Sequence, residues 1–186
     1  MTKLREVIRY VETRIPGLAD RTKLVEAVNA ALMEIGRVTK TDETLVVEPN
    51  KAVYTLPSGV SNIVRVQVAA DKSEREYMTH YHWQEVGGEL HFPGSIYTGP
   101  GNKIRLYYNA DHDYVENDDD EISNQIPLAL ICGVSVYRYA LANFESRQNQ
   151  GVKDKDVLSM LMAEAQAVKL HYRVNRMQRD PILGRN

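Results

Sequence analysis

The sequence predicts an α+β fold, in which a small antiparallel β module is inserted between helices two and three of a four-helix bundle-like core. Three observations lead to this prediction. Apolar side chains recur at helical spacing in residues 2–37. Residues 44–109 show short strand patterns separated by glycine and proline turns, and residues 125–178 return to helical spacing.

The order of these patterns predicts the domain organisation. A helical bundle is formed by residues 1–40 and 122–178, and residues 41–121 form a β insertion that ends in an acidic loop. Residues 179–186 are predicted to leave the helix as an extended C-terminal tail, because they contain proline and glycine.

The first two helices are separated by a break at Pro16 and Gly17. Asp20 is placed to cap the second helix, because its carboxylate can accept hydrogen bonds from the unpaired N–H groups of the first turn. Gly36 suits a left-handed residue at the end of that helix.

The β insertion is predicted to contain about six short strands, which favours a small antiparallel sheet or a partial barrel. Residues 64–68 alternate apolar and polar side chains, as a half-buried strand does. Pro49-Asn50 predicts a hairpin between its flanking strands, and Gly87-Gly88 predicts a second hairpin.

An acidic loop covers residues 111–121, with seven acidic side chains and no lysine or arginine. It lacks the Asp-x-Asp-x-Asp-Gly pattern of a preorganised calcium loop, so we expect a solvated, self-repelling connection. A carboxylate site for a divalent cation remains an alternative, and like charges there would also keep DNA from sticking.

The third helix is predicted to be central. Between residues 126 and 144, Arg138 is the only formally charged residue. The length of this nearly uncharged segment approaches that of a membrane-spanning helix. Interspersed polar residues favour a helix wrapped by protein instead.

The fourth helix carries an apolar stripe in steps of three and four residues, which predicts its packing face. The stripe consists of Met160, Ala163, Ala167, Leu170, Val174 and Met177, and Leu161, Ala165, Val168 and Tyr172 widen this face.

No catalytic motif accompanies these elements, so we expect neither an enzyme nor a cofactor. The net charge of −2 argues against a dedicated nucleic-acid-binding protein, because such proteins need a basic footprint. His80, His82 and His91 could meet across strands as a metal site, although polar strand residues are the favoured interpretation. Cys132, the single cysteine, is interpreted as a small buried core residue.

Three stretches together resemble the head-to-tail adaptor proteins of tailed bacteriophages, also called connector or head-completion proteins. They are residues 24–35 (LVEAVNAALMEI), residues 54–60 (YTLPSGV) running into 63–66 (IVRV), and residues 104–108 (IRLYY) before the acidic loop and 126–128 (IPL). The order of helices with a β insertion is also similar, and the resemblance covers most of the chain.

The resemblance implies a structural virion protein at the head-tail interface, present in the host cytoplasm during assembly. Such proteins form a ring, commonly a dodecamer, that docks under the portal protein, extends the DNA channel and offers a surface to the next neck or tail protein. Genomic DNA would pass through without specific binding, and no membrane would be involved. A tail terminator or stopper is the alternative within the virion, and a metal- or ligand-binding enzyme using the three histidines is the alternative from another class.

The same resemblance implies that the C-terminal segment reaches the portal. The sequence supplies basic and apolar anchors there, which suit a peptide that orders on binding. The predicted portal-docking residues are Arg176, Arg179, Ile182, Leu183 and Arg185.

Overall fold

The computed structural model describes residues 2–15, 20–94, 99–146 and 152–179, and their side chains except 144–146, 152–155 and 173–179. The chain divides into two compact units. The helical unit is Met1–Gly36 with His112–Asn186, and the sheet unit is Arg37–Asp111. The predicted division into residues 1–40 with 122–178, residues 41–121 and residues 179–186 stays a prediction.

The described elements alternate along the chain as an α+β fold. In the helical unit they are β1 (Thr2–Lys3), α1 (Leu4–Arg14), α2 (Arg21–Ile35), β9 (Glu121–Ile122), α3 (Leu128–Ser146) and α4 (Val152–Arg179). In the sheet unit they are β2 (Val38–Val46), β3 (Val53–Thr55), β4 (Ile63–Ala69), β5 (Tyr77–His80), β6 (Gln84–Val86), β7 (Glu89–His91) and β8 (Lys103–Ala110).

Helix α3 is the centre of the helical unit. It packs against α1, α2 and α4, and its buried side chains cover most of the helix circumference, with half-buried residues on the rest. Among the described residues, no helix is long and apolar enough to cross a membrane. The predicted cap at Asp20 is confirmed, because its carboxylate accepts a hydrogen bond from the Lys23 N–H.

The predicted four-helix bundle-like core is wrong. Helices α1, α2 and α3 enclose the buried side chains, whereas Leu161 and Ala165 are the only buried residues of α4 between residues 156 and 172. The physical reason is that the apolar residues of α4 occupy two opposite faces, and only one of them can meet α3. The described architecture is a mixed α+β fold with antiparallel sheets.

In the sheet unit, the described strands form two antiparallel sheets with the orders β2-β8-β4-β5 and β3-β7-β6. Their inner faces share one apolar cluster, in which Tyr54 and Phe92 meet edge to face at 5.8 Å between ring centroids. The hairpin predicted at Gly87-Gly88 is confirmed, because β6 pairs with β7 and both glycines have positive φ.

The hairpin predicted at Pro49-Asn50 is wrong. A turn does form there, with Asn50 at φ 58°, but β2 pairs with β8 and β3 pairs with β7. The turn therefore carries the chain from one sheet to the other. The residues of the turn predict only the local change of direction of the chain. Which strands pair depends on tertiary packing, and here Val47 and Tyr54, on either side of the turn, are both buried in the common cluster.

Asn29 on α2 fixes the start of the acidic loop. Its buried amide accepts from the Val115 N–H at 2.9 Å and donates to the Val115 carbonyl oxygen at 2.8 Å. It also donates to the Val25 carbonyl oxygen at 3.0 Å. One side chain thus pairs both backbone groups of a residue outside regular structure.

We predict that Asn29→Ala lowers the free energy of unfolding by about 2–4 kcal/mol, because two buried backbone groups of Val115 lose their partners. Chemical denaturation followed by circular dichroism would measure it. The control is Asn124→Ala in an exposed turn, expected to change the free energy of unfolding by less than about 0.5 kcal/mol. Equal effects of the two substitutions would contradict the bridging role of Asn29.

Candidate docking surface

Helix α4 has one face packed against the body of the helical unit and one face exposed. The packed face contains Leu161 and Ala165, and Val168 approaches α3 closely, 4.0 Å from the Cβ position that Gly133 leaves vacant. Of the predicted packing face, Leu161 and Ala165 are buried and Val168 and Tyr172 are half-buried, whereas the stripe at its centre is exposed. We call its described part the open stripe, which consists of Met160, Ala163, Ala167 and Leu170.

The exposure of the open stripe is large for apolar side chains. Met160 is 54% exposed and Leu170 is 65% exposed, and Val157 also lies exposed one turn before Met160. Isolated exposed apolar residues are ordinary, but a contiguous row along one helix is typical of a protein-binding surface.

An ion cluster holds α4 against α2 and α3. The Glu34 carboxylate on α2 accepts hydrogen bonds from Arg138 on α3 and from Lys169 on α4. Only 22% of the Glu34 side chain is exposed, so solvent screens these pairs less than it screens surface pairs. Burial raises the pKa of Glu34, but the hydrogen bonds from Lys169 and Arg138 outweigh it and hold the pKa below its usual value.

Two further contacts fix the position of α4. Arg14 at the end of α1 pairs with Glu164 at 3.1 Å. The Tyr172 hydroxyl donates to the Gln125 carbonyl oxygen at 3.3 Å, just before α3 begins. Sequence reasoning missed the whole set of contacts. Its one available signal was Arg138, since a charge in a central apolar helix needs an acidic partner.

The predicted docking residues lie at the end of α4 and beyond it. Arg176 and Arg179 belong to the last turns of the helix, and their side chains are outside the described residues. Ile182, Leu183 and Arg185 lie outside the described residues altogether. Their role in docking is therefore taken up below as a proposal.

The acidic loop is mostly exposed and so solvated, as predicted, but several of its acids pair with basic side chains, so the predicted self-repulsion is wrong. Asp119 lies 2.9 Å from Lys3 Nζ and 3.1 Å from Arg5 Nη1, and Asp118 pairs with Arg21. The hydrogen bond from Lys3, with the charges of Lys3 and Arg5, holds the pKa of Asp119 below its usual value. The loop anchors the starts of α1 and α2, a role that its sequence alone did not indicate.

The Asp120 carboxylate organises the loop from within. It accepts from the backbone N–H groups of Glu116 and Asn117 at 2.7 and 2.8 Å, and these bonds lower its pKa. The backbone carbonyl oxygen of Asp120 accepts a hydrogen bond from the Leu4 N–H at 3.0 Å, at the first residue of α1. The loop thus satisfies part of the unpaired N-terminus of that helix.

The three histidines are not brought together. His80 lies on β5 of one sheet with its ring edge-to-face against Phe92, whereas His91 lies on β7 of the other sheet, 3.2 Å from Glu89. His82 follows β5 outside the strands. Among the described residues, no group of three or more His, Cys, Asp or Glu side chains could hold a metal ion.

The Cys132 thiol and the aromatic side chains of the sheet unit, two other candidate groups, have surroundings typical of structural residues. Burial raises the pKa of the Cys132 thiol to about 11, so little thiolate forms at neutral pH. Trp83 and Tyr108 pack against the apolar cluster of the sheet unit. Tyr107 faces Arg65, whose guanidinium lies 5.3 Å from the ring centroid.

Comparison with known proteins identifies the family. Residues 2–179 match the SU10 adaptor protein family. The chain belongs to this family. It is therefore a bacteriophage adaptor, a structural protein of the virion, and this is not an enzyme class. Membership of an adaptor family implies interaction with portal and tail proteins. The family resemblance inferred from the sequence is confirmed, and no curated protein matches the chain.

We predict that Glu34→Gln destabilises the adaptor by about 1.5–3 kcal/mol at pH 7, because Arg138 and Lys169 lose a charged partner. The folded-state pKa of Glu34 is lowered, so its contribution is present above its ordinary pKa of 4.5 and is lost as the pH falls through the folded-state pKa. The substitution should therefore flatten the acid side of the stability profile.

Thermal unfolding from pH 3 to pH 7 would measure this effect. The matched control is Glu26→Gln, an exposed carboxylate on the same helix α2. An acid profile that is unchanged in Glu34→Gln, or equally changed in Glu26→Gln, would contradict the role assigned to the cluster.

We predict that elemental analysis of the purified adaptor finds no stoichiometric zinc, because His80, His82 and His91 are not assembled as ligands. Zinc bound in a 1:1 ratio and lost in the triple alanine variant would instead favour the enzyme alternative. The His171→Ala variant, outside the sheet unit, is the control for adventitious binding.

Proposed function

We propose that this adaptor forms a ring, a dodecamer in the virion, that docks under the portal, extends the DNA channel and offers the attachment surface for the next neck or tail protein. Family membership carries the adaptor part of this proposal and favours it over a tail terminator or stopper. The docking part rests on α4, whose exposed apolar face and basic end form one continuous helix.

The proposed docking element is the end of α4 with the tail that follows it. Beyond residue 170 the sequence contains four arginines and a single acid, Asp180. Arg176, Arg179 and Arg185 would meet acidic groups of the portal, and Ile182 with Leu183 would enter an apolar groove. Many copies on one ring would compensate for weak single contacts through effective concentration.

A conduit role is compatible with the charge of the protein. The net charge is −2, so no strong electrostatic attraction would retain DNA passing through the ring. The acidic side chains at Asp111, Asp118 and Asp119 are engaged by Arg37, Arg21 and Lys3. We therefore do not propose that the acidic loop repels DNA.

We predict that removal of residues 179–186 abolishes saturation of purified portal by the adaptor while leaving the thermal unfolding midpoint within about 2 °C, because in the sequence the segment follows the last apolar residue of the helical stripe, Met177. Electron microscopy of portal with and without the adaptor would count the bound rings. A matched variant with Ile182→Asp and Leu183→Asp separates apolar anchoring from chain length.

Two outcomes would redirect the proposal. If the truncated adaptor saturates portal with unchanged affinity, the docking surface lies elsewhere, and the open stripe is the first surface to test. If neither form binds portal while both bind a purified tail component, the terminator or stopper alternative replaces the portal adaptor.

A further inference from the structure

Two arginine–tyrosine stacks lie on the outer face of the sheet β2-β8-β4-β5, the face turned away from the apolar cluster. In the first, the Arg105 guanidinium lies 3.6 Å from the centroid of the Tyr77 ring. In the second, the Arg65 guanidinium lies 5.3 Å from the centroid of the Tyr107 ring, and these two residues pair across β4 and β8. Leu106, between Arg105 and Tyr107, belongs to the cluster, so its neighbours face outward.

The Arg105 stack, formed by Arg105 and Tyr77, includes a carboxylate. The Arg105 guanidinium donates to the carboxylate of Glu43 on β2, and only 27% of the Arg105 side chain is exposed. The ring of Tyr77 thus covers the flat surface of the guanidinium, while Glu43 accepts from its N–H groups. The Arg105 stack therefore shows which two groups satisfy an arginine at this sheet surface.

The Arg65 stack, formed by Arg65 and Tyr107, has the ring but no carboxylate. Arg65 is exposed, and none of the described acidic side chains pairs with it. The ring beside it is held in place, because the Tyr107 hydroxyl donates to Gln67 Oε1 at 3.0 Å. An arginine that rests on a fixed ring loses less conformational entropy when an anion binds, so the stack is pre-organised for one.

We propose that the Arg65 stack is a docking site for an acidic side chain of the next neck or tail protein, whose carboxylate binds Arg65 as Glu43 binds Arg105. Arginine and tyrosine are enriched among the residues that contribute most to protein interfaces. This inference rests on the proposed function, which needs an attachment surface besides the portal-docking end of α4. The sheet unit contains no part of α4, so the two surfaces do not compete for the same residues.

The charges of the outer face favour a protein carboxylate over DNA. Arg105 is paired with Glu43, and Lys103 is paired with Glu74 at 2.9 Å, so these two cations are neutralised within the chain. Duplex DNA is bound by several cations that track its phosphates. Arg65, beside two neutralised cations, does not form such a track, whereas it matches the single charge of one acidic side chain.

The first test measures the affinity of the purified neck or tail component for portal saturated with adaptor. We expect Arg65→Glu to weaken this binding about tenfold or more, because like charges then meet in the interface. Arg65→Lys should weaken it less, since lysine keeps the charge but lacks the planar group that stacks on a ring. The matched control is Arg75→Glu, the same reversal at an exposed arginine between β4 and β5, expected to stay within about twofold.

The second test follows the reactivity of individual arginines with phenylglyoxal, read by peptide mass spectrometry. In the free adaptor, Arg65 should be modified faster than Arg105, which is mostly covered and paired. The neck or tail component should protect Arg65 and leave Arg75 reactive. Portal alone should protect Arg176 and Arg179 under the proposed function, so the two docking proposals are read at different arginines of the same sample.

Each other occupant of the Arg65 stack gives a different result. Protection of Arg65 by portal alone, by duplex DNA of mixed sequence, or by raising the concentration of free adaptor would indicate the portal, a phosphate backbone or a second copy. Each of these results would overturn the assignment to the next neck or tail protein.

The same experiments separate failure of this inference from failure of the proposed function. If Arg65→Glu binds the neck or tail component with unchanged affinity, the inference is overturned, while portal docking and attachment both stand. If the wild-type complex binds no such component, the attachment part of the proposed function fails and the inference fails with it. Portal docking is still decided by portal saturation in that case.

Discussion

The burial of most of the surface of α3 is the constraint on which the rest of the helical unit depends. An apolar helix of this length must be covered, and α1, α2 and α4 each cover part of it. Because these helices pack around α3, Arg138 is half-buried, and a half-buried charge without a partner would be destabilising. Glu34 supplies the partner, and because Glu34 also binds Lys169, the same carboxylate sets the position of α4.

The position of α4 then decides which surface is available for assembly. With one face held against α3, the other faces solvent and carries the open stripe. An adaptor must join partners in sequence, and a helix that is anchored on one side and apolar on the other is suited to this task. The helix thus connects the core of the subunit with an exposed apolar surface.

The acidic loop changes meaning when its neighbours are known. As a sequence, residues 111–121 contain a run of like charges, for which a solvated connection is the ordinary expectation. In the fold, Lys3, Arg5 and Arg21 come from helix starts that are distant along the chain and neutralise part of it. Asn29 on α2 also fixes Val115 within the loop. The loop therefore stabilises the starts of α1 and α2.

The sequence by itself determined the main element types, the Asp20 cap, the Gly87-Gly88 hairpin and the central third helix, because these depend on local spacing and turn chemistry. The family was recognised from the resemblance of three stretches of sequence and their order. Tertiary structure alone decided which strands pair across Pro49-Asn50, which basic residues meet the acidic loop, and which of two apolar faces of α4 is buried. The stripe from Met160 to Leu170 and the face with Leu161 and Ala165 have equally regular spacing in the sequence. Only the contact with α3 and the ion cluster at Glu34 distinguishes them, since periodicity defines a face without naming its partner.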